Sequence, residues 1–329
     1  MASSITDLSV DVTNKCNNNC IYCRDIHNDI TRNLTPDQMI KIVRKLLNEI
    51  TTIECVKISG GEPLLFPKLD KLVTLCDRSK KISILQTNGL LLTKSIANNL
   101  KRAGLNKVQL SLDGSKYIHN KLRGKNFDQV LMAAKACKTN NLPFYFKCTI
   151  SELNKNEIEN LFKIAKNYSS EKLNFGFVML VGKAKNNPLL KEVTKQDKKR
   201  VIRNIYNLTR KYKVKIVIAD PCAHVYLQKH LRHKKIVAGG TCNLGSNSIH
   251  ISSDGYYRPC SMINLNLGDA LQDNFYEIWN KHKFLTRCRE RDFGKCKKCK
   301  NINFCGGCRA NAFSIHNDYF AKDSTCFLF

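Results

Sequence analysis

Residues 8–23 read LSVDVTNKCNNNCIYC, a short β-branched run followed at once by three closely spaced cysteines. The run predicts a β-strand. The spacing CxxxCxxC then brings Cys16, Cys20 and Cys23 into one loop. Three thiolates can hold one face of a [4Fe–4S] core and leave its fourth iron open, whereas a structural zinc site usually takes four protein ligands. The stretch therefore predicts an iron–sulfur cluster with one open iron, placed after the first strand.

Further short β-branched runs alternate with helical patterns along the chain. The first helix is expected to begin with Thr35 as N-cap and Pro36 at its first position. This alternation predicts a parallel sheet with right-handed crossovers, and we expect an α/β fold of the partial (β/α)6 TIM-barrel type. The predicted strands are Leu8–Thr13, Cys55–Ser59, Ile82–Gln86, Val108–Leu112, Phe144–Ile150 and Phe175–Leu180, and the later helices are 68–77, 93–103, 127–139 and 155–168.

The chain changes character near residue 220. A Lys- and Asn-rich connector (181–199), a helix (198–212) and a strand (Val214–Ala219) complete a core domain that we assign to residues 1–219. Residues 220–329 are richer in Gly and Cys, with a hairpin turn predicted at 252–255 and a short helix at 273–282. Because this second domain is rich in loops, we expect its cysteines to cross-link it through metal centres.

Glycines and polar side chains stand at the ends of the next three predicted strands. Gly60-Gly61-Glu62-Pro63 follows the second strand, Asn88 follows the third, and Ser111-Leu112-Asp113-Gly114 closes the fourth, with Arg123 shortly after. The carboxyl ends of parallel strands meet at one face of a barrel, where such folds assemble their active sites. We therefore predict that these motifs and the three-cysteine loop form one site.

Together these motifs resemble the signature of the radical S-adenosylmethionine (SAM) superfamily, over residues 8 to about 180. The resemblance implies a catalytic [4Fe–4S] cluster on Cys16, Cys20 and Cys23, with SAM chelating the open iron. It further implies reductive cleavage of SAM to a 5′-deoxyadenosyl radical that abstracts hydrogen from the substrate.

The same resemblance implies roles in SAM binding. Glu62 would accept a hydrogen bond from the SAM ammonium, and Arg123 would pair with the SAM carboxylate. Ser111 and Asp113 would face the ribose. The cofactor-binding residues implied in this way are Tyr22, Gly60, Gly61, Glu62, Pro63, Asn88, Ser111, Asp113 and Arg123.

Seven more cysteines follow in the order C…Gx₄C…Cx₂Cx₅Cx₂C…C. This order resembles the SPASM extension of many radical SAM enzymes, and it looks most like the branch that contains the haem-synthesis decarboxylases and the pyrroloquinoline quinone maturase. The resemblance implies two auxiliary [4Fe–4S] clusters, although the last spacing is x₂ where x₃ is usual; a zinc ribbon is the alternative for paired Cx₂C hooks. The implied outer ligands are Cys296, Cys299, Cys305 and Cys326, and the implied inner ligands are Cys242, Cys260 and Cys308.

The inner set lacks a fourth thiolate. Cys222 is the leading candidate, Cys288 is the second, and an iron left open towards the substrate is the third possibility. The remaining cysteines fall inside predicted strands or helices, where a free thiol behaves as a small apolar group. They are Cys55, Cys76, Cys137 and Cys148.

The composition narrows the setting of the protein. Its 16 cysteines cluster in short spacings, which favours metal ligation in a reducing compartment over disulfides. The N-terminus lacks a signal-peptide pattern, and no apolar run reaches the ~18 residues of a membrane span, so we expect a cytoplasmic protein without a membrane partner. The formal net charge is +28, but the basic runs lack interleaved aromatics, and we interpret them as solvated lysines rather than as a nucleic-acid surface.

Three substrate classes remain open. Oxidative maturation of a peptide or protein leads, because auxiliary clusters suit a substrate radical that must lose an electron. A tetrapyrrole side-chain decarboxylase and a sugar or nucleoside dehydrogenase or epimerase are the alternatives. Only seven residues precede the first predicted strand, so a leader peptide would be recognised by a separate protein, and a flavodoxin- or ferredoxin-type protein would supply electrons. A non-catalytic iron–sulfur or zinc protein that binds nucleic acid is disfavoured by the full set of SAM-binding motifs.

Overall fold

The structure is a computed structural model that describes residues 5–24, 32–231, 237–238 and 242–328. Within these residues eleven strands form one sheet, in the order β11-β10-β9-β1-β2-β3-β4-β5-β6-β7-β8. The strands are β1 Asp7–Asp11, β2 Cys55–Ser59, β3 Ile82–Thr87, β4 Lys107–Ser111, β5 Phe144–Ile150, β6 Lys172–Phe177, β7 Lys215–Ile218, β8 Val237–Ala238, β9 Ser248–Ile251, β10 Tyr256–Arg258 and β11 Gly268–Asp269.

Strands β1 to β7 are parallel and follow one another in chain order across the sheet. Because right-handed crossovers in this order place every connecting helix on the same face, the opposite face forms the lumen of an open barrel. The predicted α/β partial barrel is thereby confirmed. The helices are α1 Pro36–Glu49, α2 Leu69–Arg78, α3 Lys94–Arg102, α4 Lys116–Arg123, α5 Phe127–Thr139, α6 Ile158–Asn167, α7 Lys195–Tyr212, α8 Pro221–Leu231, α9 Phe275–Lys281, α10 Lys283–Arg289 and α11 Arg309–His316.

The start of α1 follows the predicted capping. The Gln38 amide donates to the Thr35 hydroxyl at 3.2 Å, and the Gln38 side chain accepts from the Thr35 amide at 2.8 Å. This reciprocal pair satisfies two of the amides that a helix start leaves without partners. The apolar stripe of α1 is buried against the sheet, as its spacing predicts; it consists of Met39, Ile40, Ile42, Val43, Leu46 and Leu47.

The sixth strand begins earlier than predicted. It spans Lys172–Phe177 rather than Phe175–Leu180, and it includes the polar residues Lys172 and Asn174. These side chains face the lumen, which is polar along this strand. Because the prediction rested on apolar runs, it placed the start of the strand too late.

The cysteine-rich region continues the same sheet. Strand β9 pairs in parallel with β1, placing Ile249 beside Leu8, and turns through Gly255 into the antiparallel strand β10. The predicted hairpin is present, and Gly255 adopts φ +82°, a conformation that favours glycine. The predicted boundary between residues 219 and 220 falls between β7 and α8.

No helix in the described part of the chain is long and apolar enough to span a membrane.

Candidate active site and cysteine clusters

The predicted motifs converge at the carboxyl edge of the parallel strands. The three-cysteine loop leaves the end of β1, Gly60 and Glu62 leave β2, Asn88 leaves β3, and Asp113 leaves β4. The hydrogen bonds described below join all four loops. The structure thus brings together residues that the sequence separates by about a hundred positions.

The glycine pair holds the backbone of the three-cysteine loop. The Gly61 amide donates to the Thr13 carbonyl at 2.7 Å, and the Glu62 amide donates to the Lys15 carbonyl at 2.8 Å. A Cβ atom on Gly61 would lie 2.2 Å from the Lys15 carbonyl oxygen, and one on Gly60 would lie 2.4 Å from the Thr13 oxygen. Neither position accepts a side chain, so these glycines position the loop that carries Cys16.

The three thiols form a donor set suited to a cluster. Arg123 Nη1 lies 3.8 Å from Cys20 Sγ, and Asn88 Nδ2 lies 4.0 Å from Cys16 Sγ. Burial raises the pKa of the Cys20 thiol, and the Arg123 charge opposes that rise by stabilising the thiolate. Thiolates are the ligands of [4Fe–4S] clusters, and the Arg123 guanidinium lies beside the three-cysteine loop. Cys16, Cys20 and Cys23 therefore fit such a cluster.

Glu62 is buried at the centre of the site, with 1% of its surface exposed. Its carboxylate accepts hydrogen bonds from Thr87 Oγ1 at 2.6 Å and from the Asn88 amide at 2.9 Å. Burial raises the pKa of Glu62, and these hydrogen bonds oppose the rise. Pro63 follows as the first residue of a short 3₁₀ turn, Pro63–Leu65, so the carboxylate is held between two rigid segments.

Asp113 organises the other side of the site. One carboxylate oxygen accepts from Arg123 Nε and from the Tyr22 hydroxyl, and the other accepts from the Thr149 amide at 2.9 Å. The Arg123 guanidinium also lies 5.2 Å from the centre of the Tyr22 ring. Thus the half-buried Tyr22 and the buried Asp113 and Arg123 form one group, which orients Arg123 towards Cys20.

His119 supports this group through a hydrogen bond with Asp113. Its Nδ1 accepts from the Asp113 amide at 3.2 Å, and its Nε2 lies 2.7 Å from Asn126 Oδ1, so Nε2 is the protonated nitrogen. Burial lowers the pKa of His119, which keeps the ring neutral. The ring fixes the turn at the end of β4 through Asp113.

The outer cysteine set surrounds one cavity of about 470 Å³ at the C-terminal end of the described chain. Four thiols line it, together with Lys295, Lys298, Lys300 and Lys322, whose charges offset those of thiolates. The lining thiols are Cys296, Cys299, Cys305 and Cys326, the set implied by the resemblance.

Cys222 lies with this outer set. Its Sγ is 4.0 Å from Cys305 Sγ, and it also hydrogen-bonds Cys326. The bond from Cys222 lowers the pKa of the Cys305 thiol and lowers that of Cys326 to about 6. The prediction that Cys222 completes the inner set is therefore corrected: α8 begins at Pro221, and its first turn packs Cys222 against the outer loop.

The inner cysteines lie between this region and the barrel. Cys308 Sγ is 3.5 Å from Met179 Sδ, in the segment after β6, and Cys242 and Cys260 both act electrostatically on Cys308. Burial raises the pKa of Cys260 to about 12. The inner set therefore adjoins the face of the barrel that carries the three-cysteine loop.

The cysteines predicted to be core residues behave differently from these sets. Cys76, Cys137 and Cys148 are at most 1% exposed, and Cys55 is half-buried on β2.

In the described residues no three His, Cys, Asp or Glu side chains are close enough to hold one metal ion.

Lys147 is a lumen residue of the site that sequence reasoning missed. It lies on β5 opposite Ser111 of β4 and Asn174 of β6, and its Nζ donates to Asn174 Oδ1 at 3.2 Å. A Cβ atom on Gly176 would lie 2.9 Å from Nζ, so the glycine leaves room for the ammonium. The signal in the sequence was the alternation of polar residues at 145, 147 and 149 within an otherwise apolar strand.

Comparison with known proteins agrees with this geometry. Residues 10–165 match the family model described as the radical SAM superfamily, and residues 242–309 match the SPASM model, described as an iron–sulfur cluster-binding domain. The AdoMet-dependent heme synthase of Methanosarcina barkeri is 26% identical over an alignment of 340 positions, which covers 96% of this chain and 94% of that protein.

Two solved structures show the same fold. Streptococcus suis SuiB bound to its precursor peptide SuiA has a TM-score of 0.79 and 18% identity, covering 98% of this chain and 76% of the SuiB chain. The enzyme anSMEcpe with bound AdoMet and the Cp18Cys peptide has a TM-score of 0.71 and 24% identity, covering 96% and 93% of the two chains.

Proposed function

Because this chain belongs to the radical SAM superfamily and carries a C-terminal SPASM domain, we propose that it oxidatively decarboxylates side chains of a tetrapyrrole. Radical SAM chemistry follows from the family, and oxidative decarboxylation is part of the proposal. The tetrapyrrole substrate is the other part of the proposal. It places tetrapyrrole decarboxylation ahead of peptide maturation, which the sequence had favoured.

The observation that carries the proposal is the ammonium group of Lys147 in the barrel lumen. Its hydrogen-bond partner there is the neutral side chain of Asn174. In the described part of the chain no carboxylate lies within salt-bridge distance of Lys147. Lys147 is half-buried, and the effect of desolvation on its pKa is only partly opposed by the charge of Asp113. A carboxylate brought by the substrate would offset the remaining desolvation cost, so this position favours such a substrate.

The similarity to heme synthases supports the same substrate class. The match to the Methanosarcina barkeri protein covers nearly the whole of both chains, and so includes the barrel and the cysteine-rich region together. The similarity to SuiB and anSMEcpe, at lower identity, concerns the fold.

The residues of this chain have distinct tasks in such a reaction. The chemistry that the bound cluster set and SAM supply is reductive cleavage of SAM, hydrogen abstraction and removal of one electron from the substrate. Cys16, Cys20 and Cys23 would hold the catalytic cluster, while Glu62 and Arg123 would bind the charged groups of SAM. Lys147 would hold the substrate carboxylate in the lumen below.

The proposed conversion balances for a propionate side chain. The carbon next to the ring loses one hydrogen atom, the bond to the carboxylate breaks with release of CO₂, and one electron leaves as the vinyl double bond forms. Each side chain therefore consumes one SAM and releases one CO₂.

The test uses anaerobically reconstituted protein, SAM, a chemical reductant and Fe-coproporphyrin III, a tetrapyrrole with propionate side chains. We expect 5′-deoxyadenosine and CO₂ in equal amounts, with vinyl products detected by mass spectrometry. The matched control is the same porphyrin with esterified propionates, which should not release CO₂ because no carboxylate is free either to bind Lys147 or to leave. Formation of 5′-deoxyadenosine without porphyrin-dependent CO₂ would reject the tetrapyrrole.

Oxidative modification of a peptide, which led the sequence-based alternatives, is the second candidate. It is favoured by the structural likeness to SuiB, which was solved with its precursor peptide. The discriminating result would be a short peptide, encoded beside the gene, that loses hydrogen without losing CO₂.

Either reaction needs one-electron reduction of the catalytic cluster. We propose a flavodoxin- or ferredoxin-type protein as the donor. Replacing the chemical reductant by such a protein should support SAM cleavage.

A further inference from the structure

We infer that Cys288 supplies the fourth thiolate of the inner auxiliary cluster, together with Cys242, Cys260 and Cys308. This assignment deepens the SPASM interpretation of the C-terminal region and does not depend on which substrate the enzyme uses.

Cys288 lines the same cavity as Cys242. The cavity has a volume of about 250 Å³, and Cys288, near the end of α10, is 4% exposed. The thiols of both Cys242 and Cys260 lie near enough for their charges to act on the Cys288 thiol. Three of the four proposed ligands are thereby linked electrostatically, and the fourth, Cys308, is linked to Cys242 and Cys260.

A glycine brings the Cys242 segment onto α10. Gly245 adopts φ +73°, and a Cβ atom there would lie 3.2 Å from the Cβ of Cys288 and 3.0 Å from the Leu285 carbonyl oxygen. A side chain at 245 would push the turn away from the helix. The close contact therefore holds the segment that follows Cys242 against Cys288.

The cavity is built for negative charge. Arg289, Arg291 and Arg309 line it beside the two thiols, and Arg309 is 1% exposed. Four thiolates around a [4Fe–4S]²⁺ core leave about two negative charges, which these guanidinium groups can offset. Cys137, a cysteine of the apolar core, lacks this environment. Burial alone raises the pKa of its thiol, with no contribution from a second thiol.

Cys222 does not compete for the position. Its contacts are with Cys305 and Cys326 of the outer set. The inner cluster then has four protein ligands rather than an iron left open to the substrate.

The experiment compares Cys288→Ala with Cys137→Ala, a matched buried cysteine, in the full chain. Three clusters correspond to about twelve irons per chain. We expect Cys288→Ala to retain about eight irons, or to show a [3Fe–4S] signal in its EPR spectrum, while Cys137→Ala retains about twelve. Cys288→Ser, which offers an oxygen ligand, should keep the iron and change the EPR spectrum of one auxiliary cluster.

Removing Cys16, Cys20 and Cys23 in the same chain leaves the auxiliary clusters alone and isolates the signal. In that chain we expect Cys288→Ala to lower the iron content from about eight to about four irons, or to produce a [3Fe–4S] signal in the EPR spectrum. Unchanged iron and unchanged EPR spectra in both Cys288 variants would overturn the assignment, as would loss of the inner cluster in Cys222→Ala instead. Retained SAM binding in Cys288→Ala, measured with Cys16, Cys20 and Cys23 intact, shows that the variant is folded.

Discussion

Arg24 Nη1 donates a hydrogen bond of 2.6 Å to the carbonyl oxygen of Ser261. Arg24 follows Cys23 directly, and Ser261 follows Cys260, so this bond joins the loop of the catalytic cluster to the loop of the inner auxiliary cluster. The same guanidinium binds the buried carboxylate of Asp11 at 2.6 Å. One side chain thus ties β1, the catalytic loop and the SPASM region together.

Replacing Arg24 by Ala should destabilise the loaded protein strongly. The change removes the guanidinium from the buried Asp11 carboxylate, which keeps its contacts with Ser59 and His250. Loss of a charge-assisted hydrogen bond of this kind costs about 1.5–3 kcal/mol. Urea unfolding of the reconstituted protein measures the loss. The control is Arg287→Ala, which breaks an exposed pair with Asp292 and should cost less than about 1 kcal/mol. Equal midpoints for the two variants would contradict the role of Arg24.

Gly61→Ala should prevent loading of the catalytic cluster. The added methyl group meets the backbone oxygen of Lys15 at 2.2 Å, and that backbone cannot retreat without moving the loop that carries Cys16. Iron analysis after reconstitution should show about four irons fewer than the parent. Ser95→Ala, on the exposed face of α3, should load normally. Full loading of Gly61→Ala would show that the loop adapts.

Arg123→Ala should weaken SAM binding by about 1.5–3 kcal/mol, or roughly 10- to 150-fold in Kd, because a charge-assisted hydrogen bond is lost. Arg123→Lys should recover little, since an ammonium cannot replace a guanidinium that reaches both Asp113 and Cys20. Anaerobic calorimetry with SAM measures the affinity, with Arg102→Ala at the exposed end of α3 as control. Unchanged affinity in Arg123→Ala would place SAM elsewhere.

Substrate binding should weaken with rising pH through Lys147. Burial lowers the pKa of Lys147 to about 8, so the ammonium that binds a carboxylate is lost as the pH rises through 8. The KM for a carboxylate-bearing substrate should therefore increase about tenfold from pH 7 to pH 9. Lys147→Arg should abolish this pH dependence because arginine stays protonated. Lys125→Gln, an exposed control, should keep the parent profile, and a Lys147→Gln variant with unchanged KM at pH 7 would contradict the role.

The sequence predicted the sheet well and the cysteine partnerships less well. Strands such as Cys55–Ser59 and Phe144–Ile150 have the bounds expected from their apolar runs, because burial against helices leaves a direct trace in composition. The sequence did not predict Lys147 as a site residue. Its side chain faces a polar lumen, whereas strands of a buried parallel sheet are usually apolar.

The sequence by itself determined the three-cysteine loop, the glycine pair and the order of strands that brings them to one edge. These are local: spacing within a loop fixes which thiols share it, and sequential parallel strands must end on the same side. Only the tertiary structure decided that Cys222 joins Cys305 and Cys326, and that Cys288 lines one cavity with Cys242. Ligands drawn from remote segments meet through the packing of α8, α10 and the C-terminal loops, and no spacing along the chain records that packing.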